Sequence, residues 1–346
     1  MLTEVNATTN GTRETSCFDS TAAKAGTTTV LCVLFVASLV GNIFIALVVY
    51  KTKTLRKPIN FFILNMAMSD LLFPIFLFPR IVTGLYVDFW LIDGPFGEAM
   101  CKIFSYSIDV STLVSIQSLV MMAFDRFGAV VFPFRSPFIS SKLCRFFILA
   151  TWIISVAIKS PELFAWKLIE NGNGFACKLR WKDAFEDSFP YESFILALSI
   201  VCWYIPLVLI AILHVTIVYK IKSQRTLGEQ SVNVREQRLK RDRNVFKMSV
   251  AVVLVFTLCW MPTTIRMLLS LYSSDKIMIS SCSFRYFEHI GYFLAQSNCA
   301  INPWICFIFS GNYRQGLKNI LSCLYRTNRV ELPKVELRNY RCSTNL

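Results

Sequence analysis

The chain has 346 residues, 54% of them hydrophobic, with a mean hydropathy of +0.50 and a formal net charge of +14. That hydropathy is too high for an ordinary soluble globule and points to a membrane protein. The excess of Lys and Arg lies between long apolar stretches, so it reads as membrane topology and not as a nucleic-acid surface.

Residues 1–29 read as a polar N-terminal tail without the apolar core of a cleavable signal peptide, leaving the first apolar stretch to serve as targeting signal. Asn6 and Asn10 each stand in an Asn-x-Thr acceptor pattern for N-glycosylation. Seven apolar stretches follow, near 30–50, 59–86, 99–131, 144–166, 191–219, 245–272 and 284–309. Each suits a helix crossing the bilayer, which takes about 20 mostly apolar residues. Strand-like alternation is missing, so a barrel is excluded and each run must close its hydrogen bonds within itself. The expected fold is an all-α bundle of seven transmembrane helices over 30–309. An amphipathic membrane-surface helix is expected over 310–325, with Tyr313, Leu317, Ile320 and Leu321 on one face and Arg314 and Lys318 on another. Cys323 at its end is a candidate for palmitoylation, and 326–346 is a terminal tail.

Charge sets the orientation. Lys51, Lys53, Arg56 and Lys57 follow the first stretch; Arg225, Arg235, Arg238, Lys240, Arg241 and Arg243 follow the fifth; Arg314, Lys318, Arg326 and Arg329 follow the seventh. The alternate loops carry Asp88, Asp93, Glu186 and Asp187. This bias predicts an N-terminus outside the cell and a C-terminus in the cytosol. Cys17, Cys101, Cys177 and Cys282 then face the oxidising side, an even set that permits three pairings.

Each stretch carries a polar residue or a proline that a plain anchor would lack: Asn42, Asp70, Asp125-Arg126, Trp152, Pro206, Trp260-x-Pro262 and Asn302-Pro303. Charge in hydrocarbon is expensive and marks function. Asp70 lies at mid-membrane, and Asn42, Ser115, Asn298 and Asn302 supply oxygen-bearing neighbours if the helices close into one bundle. A network that only glues helices is the alternative. The fork of Arg126 suits a carboxylate, either its neighbour Asp125 or Asp242; snorkelling to headgroups is the alternative. Pro206 and Pro262 each remove a backbone hydrogen bond and bend their helices.

The outer ends of the stretches are studded with mixed charge: Arg80, Asp109, Lys159, Glu162, Glu192, Arg266 and Glu288. Asp109 and Lys159 are expected to pair, either for a ligand or only to satisfy each other. Arg266 and Glu288 lie higher and suit a polar ligand. The loop from Lys167 to Pro190 is long enough for a hairpin lid beside Cys177. Enzymatic chemistry is not expected: the two histidines, His214 and His289, fall on opposite membrane sides and no metal-ligand spacing occurs. A channel or transporter would show repeats or broken helices about a midplane site, and no repeat is visible.

Taken in order, Gly41-Asn42, Leu64-x-x-x-x-x-Asp70-Leu71, Cys101, Asp125-Arg126-Phe127, Trp152, Pro206, Phe256-x-x-Cys259-Trp260-x-Pro262 and Asn302-Pro303 resemble the rhodopsin-like (class A) G protein-coupled receptors over nearly the whole chain. The resemblance implies a sodium ion with waters held by Asp70, Ser115, Asn298 and Asn302, and no other cofactor. It implies that Asp125 or Asp242 locks Arg126 until the sixth helix swings outward. It makes Ile116, Pro206 and Phe256 the connector between pocket and cytoplasmic cleft, Trp260 the residue that senses ligand depth, and Phe134 an apolar insert into the G protein. The disulfides expected are Cys101–Cys177 and Cys17–Cys282. Similar receptors carry tyrosines at the positions of His214 and Cys306, so a weaker or differently built active-state latch is expected here.

Ile108 stands where amine receptors need a carboxylate, and Gln296 where retinal pigments need a lysine, which disfavours both ligand classes. The ligand set is then Arg80, Asp109, Lys159, Glu192, Arg266, Glu288, Tyr292 and Gln296. The ligand expected is a neuropeptide, with a lipid or nucleotide as the alternative. Expected partners are a heterotrimeric G protein, arrestin and the lipid bilayer of the plasma membrane, with no nucleic acid.

Overall fold

A computed structural model describes residues 21–87, 89–132, 139–171, 174–186, 190–225, 232–272 and 281–329. The helices are α1 (Thr21–Lys51), α2 (Pro58–Tyr86), α3 (Gly94–Val131) and α4 (Ser141–Ala165). A hairpin of β1 (Trp166–Asn171) and β2 (Gly174–Leu179) and the short α5 (Trp181–Phe185) come next. Then follow α6 (Tyr191–Ser199), a π turn (Ile200–Tyr204), α7 (Ile205–Arg225), α8 (Val232–Tyr272), α9 (Cys282–Phe309) and α10 (Gly311–Arg329). The α6–π–α7 run forms one span, so the seven expected spans are α1, α2, α3, α4, α6–α7, α8 and α9.

Among the described residues, six helices are long and apolar enough to cross a membrane, α9 not being one of them. At 28 residues α9 is long enough, but it carries Arg285, Glu288, Gln296, Asn298 and Asn302. Its polar face is buried instead: Gln296, Asn298 and Asn302 are each within the bundle. Large apolar side chains such as Val33, Phe146, Val208, Leu258 and Ile308 remain exposed on the outer flanks, as hydrocarbon contact requires.

Helix starts follow local chemistry. Pro58 opens α2, where its missing N–H costs nothing. Ser140 and Ser281 cap α4 and α9, accepting from Leu143 N and Phe284 N, each at 3.2 Å. The helix α1 begins at Thr21, so part of the segment expected as tail is helical. Pro206 does not bend its helix alone, since the π turn ends two residues before it and loosens the same stretch.

The central helix is α3, which packs on α2, α4, α7 and α8, while α1 packs on α2 and α9. The α1–α9 contact needs glycine: a Cβ on Gly41 would stand 2.9 Å from Pro303 Cγ. The helix α10 lies against α1 in the same way, a Cβ on Gly316 meeting Val48 Cγ1 at 2.7 Å. Buried Tyr313 and Ile320 pack toward the bundle, whereas Leu321 is exposed, as an apolar side chain on a membrane-surface helix can be. The helix α10 ends four residues beyond the expected boundary, at Arg329.

The hairpin is antiparallel with Leu168 opposite Cys177, and Cys177 is disulfide-bonded to Cys101 near the start of α3. The lid expected from the loop length is therefore present and tethered as expected.

Candidate functional site

Three polar tiers lie along the bundle axis. The first is at the hairpin end. Arg80 of α2 donates to Ser105 Oγ at 2.8 Å and lies over the Trp166 ring at 4.9 Å, so its guanidinium is held by α3 and the hairpin together. Among the described residues it has no carboxylate within 4 Å. Opposite, Arg266 of α8 pairs with Glu288 of α9 at 3.5 Å and lies 5.9 Å from the Tyr292 ring centroid. Lys159 lies between two acids. Its ammonium donates to Glu162 at 2.7 Å and stands 3.7 Å from Asp109. Lys159 and Glu162 are buried, whereas the Asp109 side chain is 37% exposed. Lys159 therefore pairs with Asp109 as expected from sequence and more closely with Glu162, which had not been singled out as its partner; of the two acids Asp109 is the more exposed. Glu192 is exposed at the start of α6. Gln296, one turn along α9 from Tyr292, is sealed in, and among the described residues neither amide atom has a partner.

Below the mouth is an aromatic stack. Trp260 lies 5.7 Å from Phe73, 5.3 Å from Trp203 and 6.2 Å from Phe256, and Trp203 lies 5.2 Å from Phe256. Ile116 and Phe256 are fully buried in the same core. Trp203 was missed from sequence, although it sits three residues before Pro206 and bridges both expected switch residues.

The middle tier centres on Asp70, which is 1% exposed. Ser115 donates to Asp70 Oδ1 at 3.1 Å and Asn302 Nδ2 donates to Oδ2 at 2.8 Å. Ser69 and Ser115 share a hydrogen bond of 2.8 Å. The Oδ1 atoms of Asn298 and Asn302 are buried without a donor among the described residues. A buried carboxylate with orphaned amide oxygens is a set short of positive charge and donors, so the residues present fit a small cation with waters. The Asn42 amide nitrogen is committed elsewhere: it donates to Ser38 O at 2.9 Å and Cys299 O at 3.0 Å, tying α1 to α9. A separate knot, also missed, joins α2, α3 and α4. Asn65 donates to Ser118 at 2.9 Å and Thr151 at 3.2 Å and accepts from Trp152 Nε1 at 2.8 Å.

At the far end Arg126 donates from Nε to Asp125 Oδ2 at 3.1 Å, with a second contact from its terminal nitrogen to the same oxygen. Asp242 falls in α8, but its side chain is not described, and Phe134 lies outside the described residues, as do Asn6, Asn10 and Cys17. His214 Nε2 shares a hydrogen bond of 3.2 Å with Ser249 Oγ, joining α7 to α8. Cys306 is buried, and the Tyr313 hydroxyl donates to Asn60 Oδ1 at 3.1 Å. Burial pushes the Tyr313 hydroxyl well above the ordinary tyrosine range, so it stays a donor. Cys282 and Cys323 are each disulfide-bonded.

Seven packed spans, a disulfide-tethered hairpin over one mouth, a buried acid at mid-depth and an arginine–aspartate pair at the other end define a seven-helix membrane receptor. Residues 41–306 match the family model for the 7 transmembrane receptor (rhodopsin family), and the chain belongs to that family. It is 29% identical to the RYamide receptor of Drosophila melanogaster over 83% of this chain and 61% of the fly protein. It is 28% identical to a QRFP-like peptide receptor of Branchiostoma floridae over 91% of this chain and 82% of that protein. With the Allatostatin-A receptor of Bombyx mori it shares 30% identity over 83% of this chain and 77% of that one.

Proposed function

We propose that this chain is a plasma-membrane receptor for an extracellular peptide that activates a heterotrimeric G protein. The hairpin end faces outward and the Arg126 end faces the cytosol, in keeping with the Lys and Arg bias of the loops. The single observation that carries the ligand class is the mouth itself. Arg80 and Asp109 there place charge of both signs beneath a tethered hairpin, which suits a chain with alternating polar groups better than an acyl tail. Relatives named as peptide receptors support the same reading.

Coupling follows from differential affinity. A ligand that prefers the arrangement with α8 swung outward, and a G protein that prefers it too, tighten each other's binding. Asp125 holds Arg126 in the resting arrangement, and the Trp260–Trp203–Phe256 stack relays the pocket's state to α7 and α8. Arrestin competes for the same cytosolic face. Asp70, Ser115, Asn298 and Asn302 hold a sodium ion that favours the resting state.

Cells expressing the chain are screened with a neuropeptide library while nucleotide exchange on the G protein is read. A peptide response that Asp109→Asn weakens at least tenfold, and that Arg126→Ala abolishes with surface expression kept, is the expected result. A response confined to lipids or nucleotides overturns the peptide reading. Full signalling by Arg126→Ala overturns the switch. For the ion, NaCl in place of choline chloride should raise the melting temperature of the wild type but not of Asp70→Asn; equal shifts in both overturn the site.

A further inference from the structure

The helices α7 and α8 are neighbours that hardly touch, for α8 packs chiefly on α9. Between them lies a cleft of about 450 Å3 lined by His214, Val215, Val218, Tyr219, Lys222, Phe246 and Val250. Its walls follow from helical spacing. Along α7, Val215, Val218, Tyr219 and Lys222 fall at intervals of three and four residues and so share one face. Along α8, Val250, Phe246 and Arg243 do the same in the opposite chain direction. Each wall therefore runs apolar for about 10 Å and ends in a cation at the same level. Lys222 and Arg243 are both exposed, and among the described residues neither has a carboxylate within 4 Å. The floor is the His214–Ser249 hydrogen bond, with the His214 ring 5.4 Å from Phe246.

The flank on which the cleft opens is lipid-facing: Val215, Val218 and Tyr219 are exposed on a helix that spans the membrane. An occupant must present an acyl chain to the apolar walls and negative charge to the rim. The geometry points to a binding site for one anionic phospholipid, its acyl chain between Val218 and Val250 and its headgroup between Lys222 and Arg243. A zwitterionic phospholipid would fill the walls and offer its phosphate, but would also bring its own ammonium against the two cations. The site is separate from the peptide mouth and rests on the membrane-spanning fold alone. Because its occupant wedges between α7 and α8, a bound lipid biases the spacing of the two helices that the receptor's switch must change.

The full chain is reconstituted in nanodiscs containing equal phosphatidylserine and phosphatidylcholine, and retained lipid is counted by native mass spectrometry after gentle release. A cation at the headgroup level favours an anionic lipid by roughly fivefold, so the wild type should retain phosphatidylserine preferentially. Lys222→Gln with Arg243→Gln changes two exposed side chains and should remove that preference with the melting temperature unchanged. Val250→Trp fills the cleft and should lose the bound phosphatidylserine. Lys220→Gln, exposed at the same level but off the groove face, should keep it. The proposal is overturned if the double variant keeps the wild-type preference. A Val250→Trp protein that retains as much phosphatidylserine also overturns it, as does a Lys220→Gln loss equal to that of the double variant.

Discussion

Replacing Lys159 by Met should strongly destabilise the hairpin end of the bundle. The ammonium stands 2.7 Å from Glu162 and 3.7 Å from Asp109, and the Glu162 side chain is 3% exposed. Removing the cation leaves Glu162 without a counter-charge in a dry site, whereas Asp109 keeps contact with the mouth. Breaking a buried pair from one side costs about 3–5 kcal/mol. At about 2 °C per kcal/mol for a chain of this size, the melting temperature should fall by roughly 6–10 °C. Glu162→Met alone should cost less, because Lys159 retains Asp109. The double variant Lys159→Met/Glu162→Met should recover most of the loss, since an apolar pair of similar volume replaces an ion pair at little cost. Thermal unfolding of the three purified variants in one detergent gives the cycle. The reasoning fails if Lys159→Met melts within about 2 °C of the wild type, or if the double variant melts no higher than that single one.

Gly41→Ala should destabilise by about 1–3 kcal/mol, because the new Cβ stands 2.9 Å from Pro303 Cγ and must push α1 from α9; an unchanged melting temperature would show that the helices part freely there. Asn65→Ala removes three hydrogen bonds among α2, α3 and α4, at about 0.6 kcal/mol each within a membrane, for a loss of about 2 kcal/mol. Denaturant unfolding measures it, and a loss below that of one such bond would contradict the knot. Ser249→Ala removes the partner of His214, and the loss of about 1 kcal/mol of resting-state stabilisation should raise basal nucleotide exchange about fivefold. Unchanged or lower basal exchange would assign that bond to the active state instead.

Six of the spans were legible as long apolar runs and the seventh by its place in the series despite a polar face, and the lid was legible because 24 residues carrying Cys177 must fold over the mouth when tethered to Cys101. The Asp70 set was half legible. Residue type found Ser115 and Asn302, but whether Asn42 aims at Asp70 or at the α9 backbone depends on the rotation of α1, which the Gly41–Pro303 approach fixes. The Lys159–Glu162 pair was visible as an i, i+3 spacing and lost to the longer-range Asp109. Asn65 and Trp203 carried no such signal. Each acts by meeting side chains from two other helices, and a single chain does not show which helices are neighbours.

The departures at His214 and Cys306 change how the cytosolic half is held. A tyrosine at the position of Cys306 would put a hydroxyl on α9 facing the bundle; the thiol is a poor hydrogen-bond partner and lies buried in packing. The hydroxyl that is present one helix later, on Tyr313, is committed to Asn60 of α2 and so anchors α10 to the bundle rather than to α7. His214 has no α9 hydroxyl to meet, and its hydrogen bond goes to Ser249 on α8. A bond from α7 to α8 is broken when α8 moves away, whereas a bond from α7 to α9 is made in the space that α8 vacates. The same position on α7 therefore favours the resting arrangement in this chain. On the proposed mechanism, outward movement of α8 would have to be driven by ligand and G protein together, against His214–Ser249 and without a replacement bond from Cys306.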